Sequence, residues 1–111
     1  MISDISPLRH LTQLCNLDIE NTNVNNITPL SSLHELMHLN LARTLVEDLN
    51  PLRDLINLES LEVQHTFVHD VTPLVGLVNL QYFDSTGTSI IDLSPLDNLR
   101  KLEKEILDMN D

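Results

Sequence analysis

Residues 27–46 read ITPLSSLHELMHLNLARTLV, and their apolar positions keep two rhythms. Ile27, Leu30, Leu33, Leu36 and Leu39 recur every third residue; Leu39 and Leu41 then alternate, and Thr44 and Val46 close the stretch. A step of three suits a 3-10 turn better than an α-helix, and a step of two is that of a strand. The pattern recurs at a fixed 22-residue offset. Upstream it is Ile5, Leu8, Leu11, Leu14, Leu17, Ile19, Thr22 and Val24. Downstream it is Leu49, Leu52, Leu55, Leu58, Leu61, Val63, Thr66 and Val68, then Val71, Leu74, Leu77, Leu80, Phe83, Ser85, Thr88 and Ile90. Pro7, Pro29, Pro51, Pro73 and Pro95 mark the same period, each inside a Ser/Thr/Asn-Pro-Leu triplet. A fixed period of about 20 to 50 residues is the signature of stacked repeats.

Composition agrees with that reading. The 111 residues suffice for one domain, taken as 1–111. Two Phe, one Tyr and no Trp leave leucine to build the interior, which a stack of thin repeats allows. Seventeen acidic residues against six Lys and Arg give a net charge of −11, which argues against nucleic acid or an anionic membrane as partner and admits a basic protein. Cys15 is alone, so no intrachain disulfide forms. Met1-Ile2-Ser3-Asp4 begins no signal-peptide pattern, and no apolar run approaches the ~20 residues of a membrane span. A cytoplasmic setting is the expectation.

These columns resemble the leucine-rich repeat family, L-x-x-L-x-L-x-x-N-x-L, over nearly the whole chain. The 22-residue length and the Pro-Leu start are similar to its internalin-like class. The expected fold is an α/β solenoid with a short parallel sheet on the concave side and 3-10 turns on the convex side. One column departs from the family, which usually has Asn where this chain has Thr22, Thr44, Thr66 and Thr88. A Thr hydroxyl, as donor and acceptor, does part of the same backbone bonding.

The spacing also sorts structural columns from functional ones. Ser6 and Thr28 are expected to cap their 3-10 turns, with Pro at the first position. Asp48, Asp70 and Asp92, in phase with Asp4 and Asn26, look like a site; their expected role is to accept backbone N–H groups in the turn leading into each 3-10 segment. At the N-terminal end Ile2 falls in the Val24 column, mid-repeat. This leaves three readings: residues 1–15 serve as the cap, the chain is cut from a longer solenoid, or another chain covers that end through self-association. At the other end Leu96, Leu99, Leu102 or Glu103, Ile106 and Met109 fall at three- and four-residue steps and suggest an amphipathic capping α-helix over 94–109, with Arg100, Lys101 and Lys104 toward solvent.

Catalytic chemistry is not expected. His34-Glu35-Leu36-Met37-His38 matches H-E-x-x-H, which binds zinc only when both His share one face of a continuous helix. Here the repeat claims Leu36 and Leu39, and the chain passes from turn to strand between the two His. His65 and His69 share the spacing, with a turn between them. There is no nucleophile elbow and no glycine-rich phosphate loop, so neither enzyme activity nor a metal or cofactor is expected.

The concave side remains. Strand residues alternating with the leucine columns are Asn16, Asp18 and Glu20; His38, Asn40 and Ala42; Ser60, Glu62 and Gln64; Tyr82, Asp84 and Thr86. They contain four carboxylates and no Lys or Arg, which suits a basic or hydrogen-bonding partner. Beside them Leu45 and Phe67 form an apolar rim, next to Arg43 and His65. Four strands span only about 15–20 Å, so a footprint of about 800 Å² has to include that rim. The expected partner-binding set is therefore Asp18, Glu20, His38, Asn40, Glu62, Gln64, Tyr82, Asp84, Leu45 and Phe67. Two functions fit: a protein-interaction module, or an acidic, antitoxin-like inhibitor that covers a basic enzyme or nucleic-acid-binding surface.

Overall fold

In each three-residue column the three leucines ahead of the strand donate their backbone N–H to the carbonyl three residues before. In the second repeat Leu30 bonds to Ile27, Leu33 to Leu30 and Leu36 to Leu33, at 2.9, 3.0 and 3.1 Å. In 3-10 geometry residues i and i+3 eclipse, so the leucines form one row facing inward. The computed structural model describes residues 1–103. Within them the 3-10 segments are Ser6–His10, Thr28–Ser32, Asn50–Leu52, Thr72–Leu74 and Ser94–Leu96, each with Pro in its first turn. Proline fits there because that N–H has no helical partner to lose.

Each such row leads into a three-residue strand: β1 (Asn16–Asp18), β2 (His38–Asn40), β3 (Ser60–Glu62) and β4 (Tyr82–Asp84). They pair in parallel in sequence order, with Leu17, Leu39, Leu61 and Phe83 in one register. The leucines between sheet and outer turns are closed off from solvent: Leu30, Leu33, Leu36, Leu52, Leu55, Leu58, Leu74, Leu77 and Leu80 are fully buried. At about 1.5–3 kcal/mol for each buried side chain, these rows are the main source of cohesion.

The turn into each segment is held by the Asp column. Oδ1 of Asp4, Asn26, Asp48, Asp70 and Asp92 accepts the N–H two residues on, from Ser6, Thr28, Asn50, Thr72 and Ser94, at 2.8–2.9 Å. Ser6 and Thr28 themselves do not cap, contrary to expectation; their N–H groups are the ones being capped. The Thr column bonds within its own turn: Thr22, Thr44, Thr66 and Thr88 donate Oγ–H to the carbonyls of Ile19, Leu41, Val63 and Ser85.

The C-terminal expectation needs correction. No α-helix starts at Ser94. Leu99 donates to Leu96 and Leu102 to Leu99, in the three-residue steps of every earlier repeat, and all three leucines are buried. Glu103 N–H then reaches Gln81 O at 3.1 Å, continuing the rungs Met37 to Cys15, Glu59 to Met37 and Gln81 to Glu59. Period three outweighed the hint of an amphipathic helix. Residues 104–109 of the expected helix lie outside the described residues. At the opposite end Leu8, Leu14 and Leu17 are half-buried and Leu11 is 48% exposed. No helix of the described residues is long and apolar enough to cross a membrane.

Candidate protein-interaction surface

Alternation decides which strand residues face outward. Leu39 turns into the core while His38 and Asn40 turn away, and parallel register then stacks like positions. Two columns result: Asn16, His38, Ser60 and Tyr82, and Asp18, Asn40, Glu62 and Asp84. Glu20, Gln64 and Thr86 lie just past the strand ends. Asp18, Glu20 and His38 are exposed; Asn40, Glu62, Gln64, Tyr82 and Asp84 are half-buried. Ala42, expected among the outward residues, is buried at 4% exposure. Near the N-terminal end Asp18, His38, Asn40 and Glu62 line a shallow depression of about 310 Å³.

The strip is tied together by hydrogen bonds. Gln64 Nε2 donates to Glu62 Oε1 and to Asp84 Oδ2, both at 3.1 Å. Tyr82 O–H donates to Asp84 Oδ2 at 3.2 Å, and Asp84 Oδ1 accepts the N–H and O–H of Thr86 at 3.0 and 2.7 Å. On the other side Asn40 Nδ2 donates to Glu20 Oε1 at 3.2 Å. Partial burial pushes the Asp84 carboxyl up, but the bonds from Thr86, Tyr82 and Gln64 outweigh it and hold its pKa below the usual carboxylate range. Burial, and then the charge of Asp84, push the Tyr82 phenol up. With both amide hydrogens of Gln64 drawn to carboxylates, its Oε1 is buried without a partner. Charge-assisted bonds of about 1.5–3 kcal/mol offset an orphaned acceptor that costs about 1–3 kcal/mol.

Three strip residues also serve the backbone, which the sequence did not reveal. Asp18, Asn40 and Asp84 each accept, through Oδ1, the N–H two residues on, at 2.9–3.0 Å. The signal was an Asp/Asn at one phase, shared by all but Glu62. A second unread column lies on the flank, where Asn57 and Asn79 donate Nδ2–H to the carbonyls of His34 and Ile56, one repeat back, at 2.9 and 2.7 Å.

Leu45 and Phe67 are not part of the strip. They sit on adjacent turns, 45% and 61% exposed, and line a separate groove with Asn25, Asn26, Glu47 and Asp48. The turn between strip and groove is left-handed in every repeat: Asn21, Arg43, His65 and Gly87 have φ of 61, 56, 55 and 76°. His34 and Glu35 lie in a turn and His38 in β2, so the H-E-x-x-H residues share no helix. Among the described residues no group of three His, Cys, Asp or Glu is placed to hold a metal ion.

No protein-family model and no curated protein matches the sequence. Solved structures do. Internalin C2 from Listeria monocytogenes aligns with a TM-score of 0.90 at 36% identity, over 91% of this chain and 45% of that one. The internalin InlF of the same organism gives 0.88 at 35%, over 92% and 30%. A leucine-rich repeat protein of Leptospira interrogans gives 0.80 at 18% identity, over 86% and 26%, a likeness of fold alone. The chain therefore spans less than half the length of the internalins it matches.

Proposed function

We propose that this chain, which is a leucine-rich repeat solenoid of the internalin-like class, binds a protein partner through its concave strip, with the Leu45 and Phe67 rim completing the contact. One observation carries the reading: Glu62 and Asp84 are held face outward by the shared Gln64 amide and by Tyr82. Fixed carboxylates lose little side-chain entropy on binding, which is where preorganised surfaces gain affinity. No Lys or Arg stands on the strip to neutralise them, so the complementary partner is basic.

Neutralisation is a cleaner test than charge reversal, because Asp18 and Asp84 also hold backbone N–H groups. Asn40 fills the same role in its own repeat, so Asp18→Asn and Asp84→Asn keep the turns. With Glu62→Gln the triple variant loses three charges and, at Asp84, the Oδ2 acceptor that Gln64 and Tyr82 share, while the backbone turns stay closed. Capture of the partner from the native host by wild type, but not by the triple variant, is the expected result, with binding that weakens steeply as salt rises. Equal capture by both proteins overturns the reading.

A further inference from the structure

Asn25, Asn26, Glu47 and Asp48 have no part in the concave strip, yet with Leu45 and Phe67 they enclose a groove of about 320 Å³. We propose that this groove docks a short segment of a partner protein in which an apolar side chain is flanked by Lys or Arg. The inference rests on the proposed function only in taking the partner to be a protein, and it gives the rim a ligand of its own.

The fold does not require apolar residues there. In the same column stand Asn23 and Ser89, and beside each of them the Thr hydroxyl still bonds the carbonyl three residues back, as it does beside Leu45 and Phe67. Leu45 N–H bonds to Val24 O and Phe67 N–H to Val46 O, at 2.9 and 3.0 Å, which fixes the two on neighbouring rungs. Val46 and Val68 turn inward and are fully buried, so the alternation leaves Leu45 and Phe67 turned out. Two large apolar groups side by side in water gain by covering a third.

The polar lining says what surrounds that third group. Asp48 commits Oδ1 to the Asn50 N–H at 2.8 Å, which leaves Oδ2 to accept. Glu47 is exposed beside it, and no Lys, Arg or His lines the groove. Asn26 commits Oδ1 to Thr28, leaving its amide nitrogen to donate, and the Asn25 side chain has no partner among the described residues. Two carboxylate acceptors recognise Lys or Arg, two amides recognise peptide carbonyls, and the Leu45 and Phe67 pair takes the apolar side chain between them. Phosphate-bearing surfaces, whether nucleic acid or lipid, would meet like charge.

The test selects a displayed random 12-residue peptide library against the 111-residue protein. Winning peptides are expected to place an apolar residue within two positions of Lys or Arg. Leu45→Ser with Phe67→Ser should abolish the selection, and Glu47→Gln with Asp48→Asn should remove only the Lys/Arg preference. Asn26 already fills the turn role of Asp48, so Asp48→Asn keeps the fold. A winning peptide is then titrated into ¹⁵N-labelled protein. Shifts confined to Asn25, Leu45, Glu47 and Phe67 support the groove. Shifts at Asn40, Glu62 and Tyr82 overturn it while favouring the strip, so the two readings fail separately. No selection, or selection that survives Leu45→Ser and Phe67→Ser, overturns it. So do concentration-dependent shifts at the groove without peptide, which would make a second copy the occupant.

Discussion

Asp70 joins two tasks in one carboxyl: it closes the turn into Thr72–Leu74 and adds one negative charge to an already acidic chain. Its Oδ1 accepts the Thr72 hydroxyl at 2.6 Å and the Thr72 N–H at 2.9 Å, and these bonds, the hydroxyl first, lower its pKa. Asp92 is lowered in the same way by Ser94. A carboxylate with a depressed folded pKa contributes stability that is complete above its unfolded value, about 3.9, and is lost as pH falls through the folded one. Urea unfolding from pH 7 to pH 3 should therefore show wild type ahead of Asp70→Asn/Asp92→Asn at neutral pH, with the lead shrinking below about pH 4. A lead that is constant across the range would refute the carboxylate role. Gly87 makes a different point. Asn21, Arg43 and His65 hold the same left-handed turn with side chains, so φ alone does not demand glycine. Room does: a Cβ on Gly87 would stand 2.4 Å from His65 Nδ1. Gly87→Ala is expected to cost about 1–3 kcal/mol. Adding His65→Ala should return part of that cost, and a double-mutant cycle without coupling would show that the imidazole is not the obstacle.

At the scale of the element, stacking is specified by columns rather than by any one turn. The leucine rows, the sheet register and the Asp turns were legible because each repeats the same residue at the same phase. Asn57 and Asn79 were not, since their column also holds Gln13, Glu35 and Lys101, and only in space does each amide reach a carbonyl of the turn behind. Asn79 is the better test, with a 2.7 Å bond to Ile56 O and Lys101 Nζ on its own Oδ1 at 2.8 Å. Asn79→Ala should lower stability by about 0.5–1.5 kcal/mol in urea, and a neutral result would make the ladder incidental. The misread helix from Ser94 has a related cause. Leu96, Leu99 and Leu102 fit both an amphipathic helix and a fifth repeat, and only the backbone bonds, Leu99 to Leu96, Leu102 to Leu99 and Glu103 to Gln81, separate the two. The candidate site was legible as a set of outward phases but not as two surfaces. Sequence could not show that Asp84, Gln64 and Glu62 bind one another, nor that Leu45 and Phe67 share a groove with Asn25 and Glu47 instead.

Across the whole molecule, each repeat touches only its neighbours, so stability is close to a sum over adjacent pairs. The first rung then differs from the rest in kind. Its inward row is incompletely covered: Leu11 is 48% exposed and Leu8, Leu14 and Leu17 are half-buried, whereas Leu30, Leu33 and Leu36 behind them are sealed. Leaving roughly half of one leucine uncovered forfeits about 1 kcal/mol. Over that row the deficit is of the order of the 1.4 kcal/mol that makes a tenfold difference in opening. Hydrogen exchange reads this directly, because equivalent amides sit on successive rungs. Ile19 and Asn21 donate to Asn40 O and Ala42 O, Leu41 and Arg43 to Glu62 O and Gln64 O, Val63 and His65 to Asp84 O and Thr86 O. The bonds are alike, at 2.8–3.0 Å, so differences in protection report the packing behind them. In the 111-residue chain, Ile19 and Asn21 should exchange about tenfold faster than Leu41 and Arg43, with Val63 and His65 the slowest. Equal protection on all three rungs would mean that the solenoid opens as one cooperative unit, and that the uncovered leucines of the first repeat carry no energetic consequence.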